Sequence, residues 1–406
     1  MINKIYSKII FIFSFTIIFF YQISVVFPAL IIRSSSGTSI PSIDPFELGV
    51  FSIPFISINF IFFVTYVLFQ KKKLRYFNSV LDILKHFDIS KNKSLLCLIV
   101  ILSVYIVFSY GEILEPEIIP DRKNVISDLE VWGKSDTFFE NISALHTKLF
   151  FLVASDLIFE NMRVIPFFAS ISLLIVSYFF TNKLTSKNYT GLISVLVIVQ
   201  SYIFREYDTI ITYSNFWTLF YVLSLYLIHK AWPLSSISYV LSFFAKPLTL
   251  MYFPLNILYI LTNSETKKNK IIALIPYSLL FTGISILILF LVPASSLQPE
   301  NFVWHPPKFF SGFTVLSYQL RYDLFIMMSL LPVSFLLYKK SQQGIKYADS
   351  FQILIAGILL TGPLLVGLLN YQLNPYRLQP FIVFFAIGVG LLFAHKTFRH
   401  NQYPST

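Results

Sequence analysis

The sequence has a single cysteine, few charged residues and no nucleotide-binding or hydrolase motif, and each absence excludes a class of protein. Cys97 lies within an apolar run, which excludes a disulfide framework and a thiolate metal site. The Walker, G-x-G-x-x-G, H-E-x-x-H and G-x-S-x-G patterns do not occur. An ATP-driven pump on this chain alone is therefore not expected.

Apolar side chains are abundant instead. Of the 406 residues, 56% are hydrophobic and only 13% are charged, 45 are phenylalanine, and the mean hydropathy is +0.71. A soluble core cannot hide that much apolar surface, whereas a lipid bilayer can. The composition predicts an all-α, polytopic membrane protein.

The net charge of +11 does not indicate a nucleic-acid partner. The charged residues lie in short loops between apolar runs, which is typical of topology determinants and not of a basic groove. The expected environment is therefore the bilayer, with no nucleic acid bound.

Apolar runs long enough to cross a hydrocarbon core of about 30 Å predict about 12 transmembrane helices. The predicted spans are 9–32, 48–70, 95–110, 164–181, 189–204, 210–228, 233–245, 248–262, 271–293, 324–338, 350–369 and 379–394. The stretch around Lys246 and Pro247 is compatible with one long kinked helix or with a hairpin, and the choice inverts every later loop.

The distribution of basic residues favours the hairpin. With a turn at Lys246, the loops on one side hold 20 of the 31 Lys and Arg residues and only 4 of the 20 acidic residues. Basic loops stay in the cytoplasm, so we expect both termini to be cytoplasmic and the acidic face to be extracytoplasmic. A cytoplasmic helix on the membrane surface is expected over 76–92.

The domain organisation follows from these spans. We expect a two-helix membrane addition with a basic cytoplasmic segment over 1–94, a main membrane unit over 95–394 and a tail over 395–406. The largest outer element, from Gly111 to Arg163, carries ten acidic residues. Within it, the apolar stretch 149–159 is too short to span and predicts a helix lying on the outer membrane surface.

Acids and cations meet on this outer face, which suggests a reaction site. A carboxylate can act as a general base toward a hydroxyl group, and Arg or Lys can hold a departing phosphate. The acidic candidates in the first outer loop are Asp121, Asp128, Glu130 and Asp136. The main cationic candidates are Arg205, Lys246 and Arg377, and the lesser candidates are His146, Glu206, Asp208 and Tyr376.

Each of these candidates also has an ordinary explanation. Outer loops carry charge because they face water, and an arginine at headgroup level is commonly a snorkelling anchor. Arg377 and Lys246 are more specific, since each lies beside a proline at a narrow turn between apolar helices.

Three stretches of the outer region resemble motifs of the GT-C superfamily of integral membrane glycosyltransferases. ISDLEVWGKSDTFF (126–139) is similar to the D-L-x-x-Y stretch, HTKLFFLVASDLIF (146–159) to the P-P-L-Y-Y-L-L surface helix, and 161–184 to the R-L-P span that follows. Two departures occur: Asp-Leu-Glu replaces the acid pair, and His-Thr-Lys stands where the family has two prolines.

Later stretches continue the resemblance in the same order. Residues 199–228 resemble an outer tip with its next helix, 238–261 resemble the turn that contains K-P, and 374–392 resemble the late R-Y-L-L-P-F tip. The similarity covers roughly residues 95–394.

The resemblance implies a mannosyltransferase-like hexosyltransferase that uses a polyprenyl- or dolichyl-phosphate sugar and a glycan, lipid or protein acceptor. Asp128 would activate the acceptor, with Glu130 and Asp121 as lesser candidates. Arg377 would bind the donor phosphate, supported by Lys246 and Arg205. No cofactor is certain, and the dependence on a divalent cation such as Mg²⁺ or Mn²⁺ is left open.

Two other functions compete with this interpretation. A polymerase or ligase of lipid-linked glycans would depend on Arg and His residues in the late outer segment 304–323. A flippase or secondary transporter would have paired, interrupted helices and ionisable groups at mid-membrane depth. A membrane scaffold without catalytic activity is a further alternative.

Overall fold

The computed structural model describes residues 2–30, 44–71, 73, 87–119, 121–134, 146–263, 267–291, 304–345, 347–369 and 374–394. These residues form helices and no β-strand. The helices are α1 (Ile2–Val26), α2 (Ser52–Gln70), α3 (Lys91–Leu114), α4 (Arg122–Lys134), α5 (His146–Phe159), α6 (Val164–Thr185), α7 (Asn188–Gln200), α8 (Tyr202–Glu206), α9 (Phe216–Leu227), α10 (Trp232–Ala245), α11 (Phe253–Asn263), α12 (Lys267–Leu291), α13 (Pro306–Leu320), α14 (Leu324–Gln342), α15 (Ala348–Leu369) and α16 (Gln379–Leu391).

Six of these helices are long and apolar enough to cross a bilayer. They cover Ile5–Val26, Ser52–Gln70, Lys91–Leu114, Val164–Thr185, Leu324–Gln342 and Ala348–Leu368. Exposed Leu, Ile, Val and Phe side chains are common along α1, α2 and α3, as lipid-facing surfaces require. The chain is therefore a helical membrane protein. The count of twelve spans stays a prediction, because several other apolar helices are shorter.

The chain turns at Lys246 and does not continue as one helix, while the effect of this turn on the membrane topology stays a prediction. After α10, Lys246 is extended and a short 3-10 helix, Pro247–Tyr252, leads into α11. The rings of Tyr239 and Phe253 lie 6.0 Å apart. In one continuous helix these residues would be separated by about 21 Å.

Helix α5 confirms the short helix predicted over 149–159. Leu149 and Leu152 are buried, whereas Phe150 and Leu157 are exposed, so the helix has one packed face and one open face. Its position at the membrane surface stays a prediction. The cytoplasmic helix expected over 76–92 lies largely outside the described residues.

The first helix packs against the last third of the chain. Helix α1 contacts α13, α14 and α15, and Ser14 donates a hydrogen bond to the carbonyl of Gln352 at 3.4 Å. The Tyr21 side chain is fully buried. The two-helix addition predicted over 1–94 thus begins with a helix that shares the main core, and the boundary at residue 94 stays a prediction.

Candidate functional site

A buried irregular segment, 207–215, separates α8 from α9. Most of its residues are buried, yet none is helical. The span predicted over 210–228 is therefore wrong at its beginning, because the helix starts only at Phe216. The span predicted over 189–204 also ends early, at Gln200, where extended Ser201 separates α7 from α8. Buried backbone outside a helix must find hydrogen-bond partners elsewhere.

Glu117 and Lys148 supply partners from far away in the sequence. The Glu117 carboxylate accepts hydrogen bonds from the backbone N–H groups of Ile211 at 2.9 Å and Thr212 at 3.3 Å. The Lys148 ammonium donates to the Thr212 carbonyl at 2.6 Å. Burial lowers the pKa of Lys148 to about 8, against the opposing effect of Glu117.

Arg163 holds the same segment at another point. Its Nε donates to the Thr209 carbonyl at 3.0 Å and its Nη2 to the Thr209 hydroxyl at 2.8 Å. Burial lowers the pKa of Arg163. Arg163 directly precedes the span predicted over 164–181, and its two hydrogen bonds fix the position of Thr209.

Asp208 lies in the interior and not at the rim. Its Oδ2 accepts hydrogen bonds from Tyr105 at 2.5 Å and Ser109 at 3.1 Å, both on α3. Its Oδ1 is buried and has no hydrogen-bond partner among the described residues. Burial raises the pKa of Asp208 to about 7, so the carboxyl group is partly protonated at neutral pH. The hydrogen bonds from Tyr105 and Ser109 to Asp208 connect the irregular segment to α3.

The far end of the segment forms an aromatic cage around a lysine. The rings of Tyr213 and Tyr376 are stacked at 3.8 Å. The Lys246 Nζ lies 3.7 Å from the centroid of the Tyr376 ring and 5.4 Å from that of Trp217. Aromatic faces attract a cation through their quadrupole, so the cage stabilises the ammonium group in part.

Two further cations surround Lys246. Burial lowers the pKa of Lys246 well below its usual value, and the positive charges of Arg377 and Lys148 lower it further. Arg377 is buried, and its Nε donates to the Tyr376 hydroxyl at 3.2 Å. In the part of the chain that the structure describes, no carboxylate lies within ion-pair distance of Lys246. The three cations therefore form a region of positive charge at the hairpin, which we call the cation site.

Two acidic candidates predicted in the first outer loop, Asp121 and Asp128, interact with residues of the cation site or its aromatic cage. Asp121 accepts a hydrogen bond from the Tyr213 hydroxyl. Burial raises the pKa of Tyr213, and this hydrogen bond raises it further. Asp128 and Glu130 are exposed on α4. The charge of Asp128 acts on Lys148, which places Asp128 on the side of α4 nearer the cation site.

Arg205 and Glu206 lie on the short helix that precedes the irregular segment. Both are exposed on the five-residue helix α8. The carboxylate of Asp323 caps this helix by accepting from the N–H of Tyr202 at 2.6 Å, and Arg205 acts electrostatically on Asp323. Helix α8 also contacts the short 3-10 helix Pro375–Leu378, which carries Arg377. The supporting role of Arg205 stays a prediction.

Two candidates and the metal question stay open. Asp136 and the side chain of His146 lie outside the described residues. Among the described residues, no group of three or more His, Cys, Asp or Glu side chains is arranged to hold a metal ion. The structure thus identifies no set of ligands for Mg²⁺ or Mn²⁺ in the residues it describes.

Sequence reasoning missed Lys148, Tyr213 and Trp217 as members of this site. A lysine at the start of an apolar surface helix was one available signal, because such a residue needs a partner when the helix packs. The other signal was the density of Tyr and Trp residues where the predicted span begins.

Comparisons with known proteins do not place the chain in a family. No protein-family model, no curated protein and no solved structure matches it. The argument for function therefore depends on the geometry of the cation site and its surroundings.

Proposed function

We propose that the protein is an integral membrane glycosyltransferase. It would move a sugar from a polyprenyl-phosphate donor to a glycan, lipid or protein acceptor on the extracytoplasmic face. The observation that carries this proposal is the cation site, in which the charges of Arg377 and Lys148 act on Lys246 and no carboxylate among the described residues pairs with Lys246.

Positive charges held close together repel one another, and burial strengthens the repulsion. A phosphate group removes this cost, because it carries negative charge and offers several acceptor oxygens. The aromatic rings around Lys246 attract the ammonium group but carry no net charge. Glu117 and Asp128 act on Lys148. No acidic residue acts on Lys246 among the described residues, so an anionic ligand would suit Lys246.

The same cations suit a phosphate that leaves during the reaction. The acceptor hydroxyl oxygen would attack the anomeric carbon of the sugar, and the bond from that carbon to the phosphate oxygen would break. The negative charge that develops on the departing phosphate would be stabilised by Lys246 and Arg377. Asp128 would take the proton of the acceptor hydroxyl as general base.

Asp121 has a positioning role in this scheme. Its hydrogen bond to Tyr213 orients a ring of the cage, so it would act on Lys246 through Tyr213. Glu130 is exposed on α4, two residues after Asp128, and stays a lesser candidate for the base.

The membrane orientation is part of the proposal. The bias of basic residues supports twelve spans with both termini in the cytoplasm and the cation site facing outward. The order of motifs supports a GT-C-like arrangement of these helices.

A lipid-linked sugar flippase or transporter is the second candidate, and Asp208 favours it. A buried carboxyl group with a pKa of about 7 beside an interrupted helical segment is typical of coupled transport sites. Transport would require Asp208 itself, whereas the transferase requires the cation site and Asp128.

The deciding experiment measures transfer from radiolabelled polyprenyl-phosphate sugars to endogenous acceptors in membranes. Wild-type protein is compared with Asp128→Asn and Lys246→Ala. The matched controls are Asp156→Asn, an exposed acid on α5, and Lys123→Ala, an exposed lysine on α4. We expect both site variants to lose transfer and both controls to keep it.

The outcomes separate the parts of the proposal. Full transfer by Asp128→Asn would remove the base assignment and leave the cation site. The absence of transfer from every donor, with well-folded wild-type protein, would favour the flippase or a glycan polymerase.

A further inference from the structure

Helix α9 presents two buried polar groups without partners on one face. Trp217 and Tyr221 are four residues apart, so their side chains lie one turn apart on the same side of the helix. Trp217 is 2% exposed and Tyr221 is fully buried. The indole Nε1 of Trp217 and the hydroxyl of Tyr221 have no hydrogen-bond partner among the described residues.

These two groups continue inward from the cation site. The Trp217 ring lies 5.4 Å from the Nζ of Lys246, and its centroid lies 6.3 Å from that of Tyr252. The Tyr252 ring in turn lies 5.1 Å from the Tyr221 ring. One path of aromatic side chains therefore leads from Lys246 into the protein.

Neighbouring tyrosines show that this part of the fold can pair a hydroxyl group. Tyr239 donates to the Thr249 carbonyl at 2.8 Å, and the Tyr277 hydroxyl lies 2.7 Å from that of Ser235. Tyr221 packs 6.3 Å from Tyr239 and yet has no such partner. An unpaired buried polar group is costly, which indicates that a ligand or water completes it.

We propose that Trp217 and Tyr221 bind hydroxyl groups of the sugar whose phosphate lies at Lys246. This inference rests on the proposed function. The indole N–H is a donor, and the phenol is a donor and an acceptor. Neither carries charge, which suits a neutral group with several hydroxyls.

The covalent link between sugar and phosphate gives the arrangement a direction. With the phosphate at Lys246, the sugar would extend toward Tyr221, and the lipid tail, which is bonded to the other side of the phosphate, would extend away from Tyr221. Trp217 and Tyr221 then select for the sugar-bearing lipid over the bare polyprenyl phosphate.

The test measures dissociation constants of the purified full-length protein in lipid nanodiscs. The probes are polyprenyl phosphate, polyprenyl phosphate mannose and polyprenyl phosphate glucose. Tyr221→Phe and Trp217→Phe keep the rings and remove the polar groups. We expect each variant to weaken binding of at least one sugar ester about three- to tenfold. Tyr221, unlike Trp217, is not part of the cage around Lys246, so Tyr221→Phe should leave the dissociation constant of polyprenyl phosphate unchanged.

Tyr21→Phe is the matched control. The Tyr21 hydroxyl on α1 is also buried and without a partner among the described residues, but α1 packs against α13, α14 and α15. We expect this variant to bind all three probes as wild type does. Thermal unfolding of each variant shows whether the protein is folded, and Tyr221→Phe alone suffices if Trp217→Phe does not fold.

Two results would overturn the inference. In one, Tyr221→Phe binds every probe as wild type does, which is the result expected if only a water molecule pairs with the Tyr221 hydroxyl. In the other, it weakens polyprenyl phosphate as much as the sugar esters. Wild-type protein that binds none of the probes would instead contradict the proposed function.

Discussion

Two regions of the molecule use polar side chains in opposite ways. Where α6, α7 and α16 meet, every hydroxyl that we describe has a partner: Thr181 donates to Ser194 at 3.0 Å, and Ser194 lies 3.0 Å from the Ala386 carbonyl. Thr185 and Thr190 pair at 2.6 Å. Small residues allow these helices to approach closely, and hydroxyl groups join them.

The region around the hairpin is the contrary case. Trp217 and Tyr221 have polar atoms without partners among the described residues. Lys246 has two cationic neighbours, and no acidic residue acts on Lys246 itself among the described residues. Both regions are buried within one helical protein. The difference agrees with a structural role for the paired hydroxyl groups and with the ligand proposed for the unpaired groups near Lys246. Four experiments can break or sharpen this distinction.

Replacement of Lys246 by alanine should have the largest effect on binding. A charge-assisted hydrogen bond is lost, so the affinity for polyprenyl phosphate should fall about 10- to 100-fold. The unfolding temperature should stay the same or rise, because one of three repelling cations is removed. Binding assays and thermal unfolding of the purified protein measure the two effects. Lower stability with unchanged affinity would place Lys246 among the structural groups.

Gly191→Ala should show the opposite pattern. An added Cβ at this position would lie 2.5 Å from Asn182 Oδ1 and 2.6 Å from the Tyr178 carbonyl oxygen, so α6 and α7 must separate. We expect a loss of about 1–3 kcal/mol in stability. Affinity per folded molecule should not change. A variant as stable as wild type would show that this interface is less tightly packed than described.

Asp208→Asn tests a buried carboxyl group of which one oxygen is hydrogen-bonded and the other has no partner among the described residues. The folded protein binds the Asp208 proton up to pH 7, whereas the unfolded chain releases it near pH 4. Stability should therefore fall as the pH rises from about 4 toward 7. Lys148, with a pKa of about 8, acts in the opposite sense only at higher pH.

The measurement is the unfolding temperature between pH 5 and pH 7.5. Wild-type protein should lose a few degrees over this range, and Asp208→Asn should lose less. Identical pH profiles for the two proteins would show that Asp208 does not titrate in the range.

Ser194→Ala should have the smallest effect. Hydrogen bonds between membrane helices contribute about 0.6 kcal/mol on average. A stability loss of that size, with donor binding unchanged, would agree with a paired structural hydroxyl. A change in donor affinity would show that the two regions are coupled.

The local sequence was sufficient to predict helices α5 and α6, because each coincides with an apolar run. The long apolar run that begins at Val164 predicts α6, and the short run before it predicts α5. The turn at Lys246 was predicted because the charge of distant loops fixes the direction of the chain there. Lys246 and Arg377 were predicted as site residues from their place beside prolines at narrow turns, and the structure places both near Tyr376. Their role in a reaction stays a prediction.

The irregular segment 207–215 was beyond such reasoning. Its sequence, YDTIITYSN, is apolar enough to read as the start of a span. In the segment, backbone groups that a helix would pair are bonded to distant side chains: Glu117 accepts from backbone N–H groups, and Lys148 and Arg163 donate to backbone carbonyls. These three residues lie about 45 to 95 residues earlier. The sequence near a charged side chain does not indicate that its partner is a distant backbone group.

The same hydrogen bonds have a consequence for biosynthesis. A ribosome delivers the chain from its N-terminus, and Tyr105, Glu117, Lys148 and Arg163 all precede the segment that they hold. When residues 207–215 enter the membrane, their partners have already been made. The backbone groups of the segment can therefore form these hydrogen bonds as soon as the segment leaves the translocon. Unpaired backbone groups then need not be exposed to lipid during insertion.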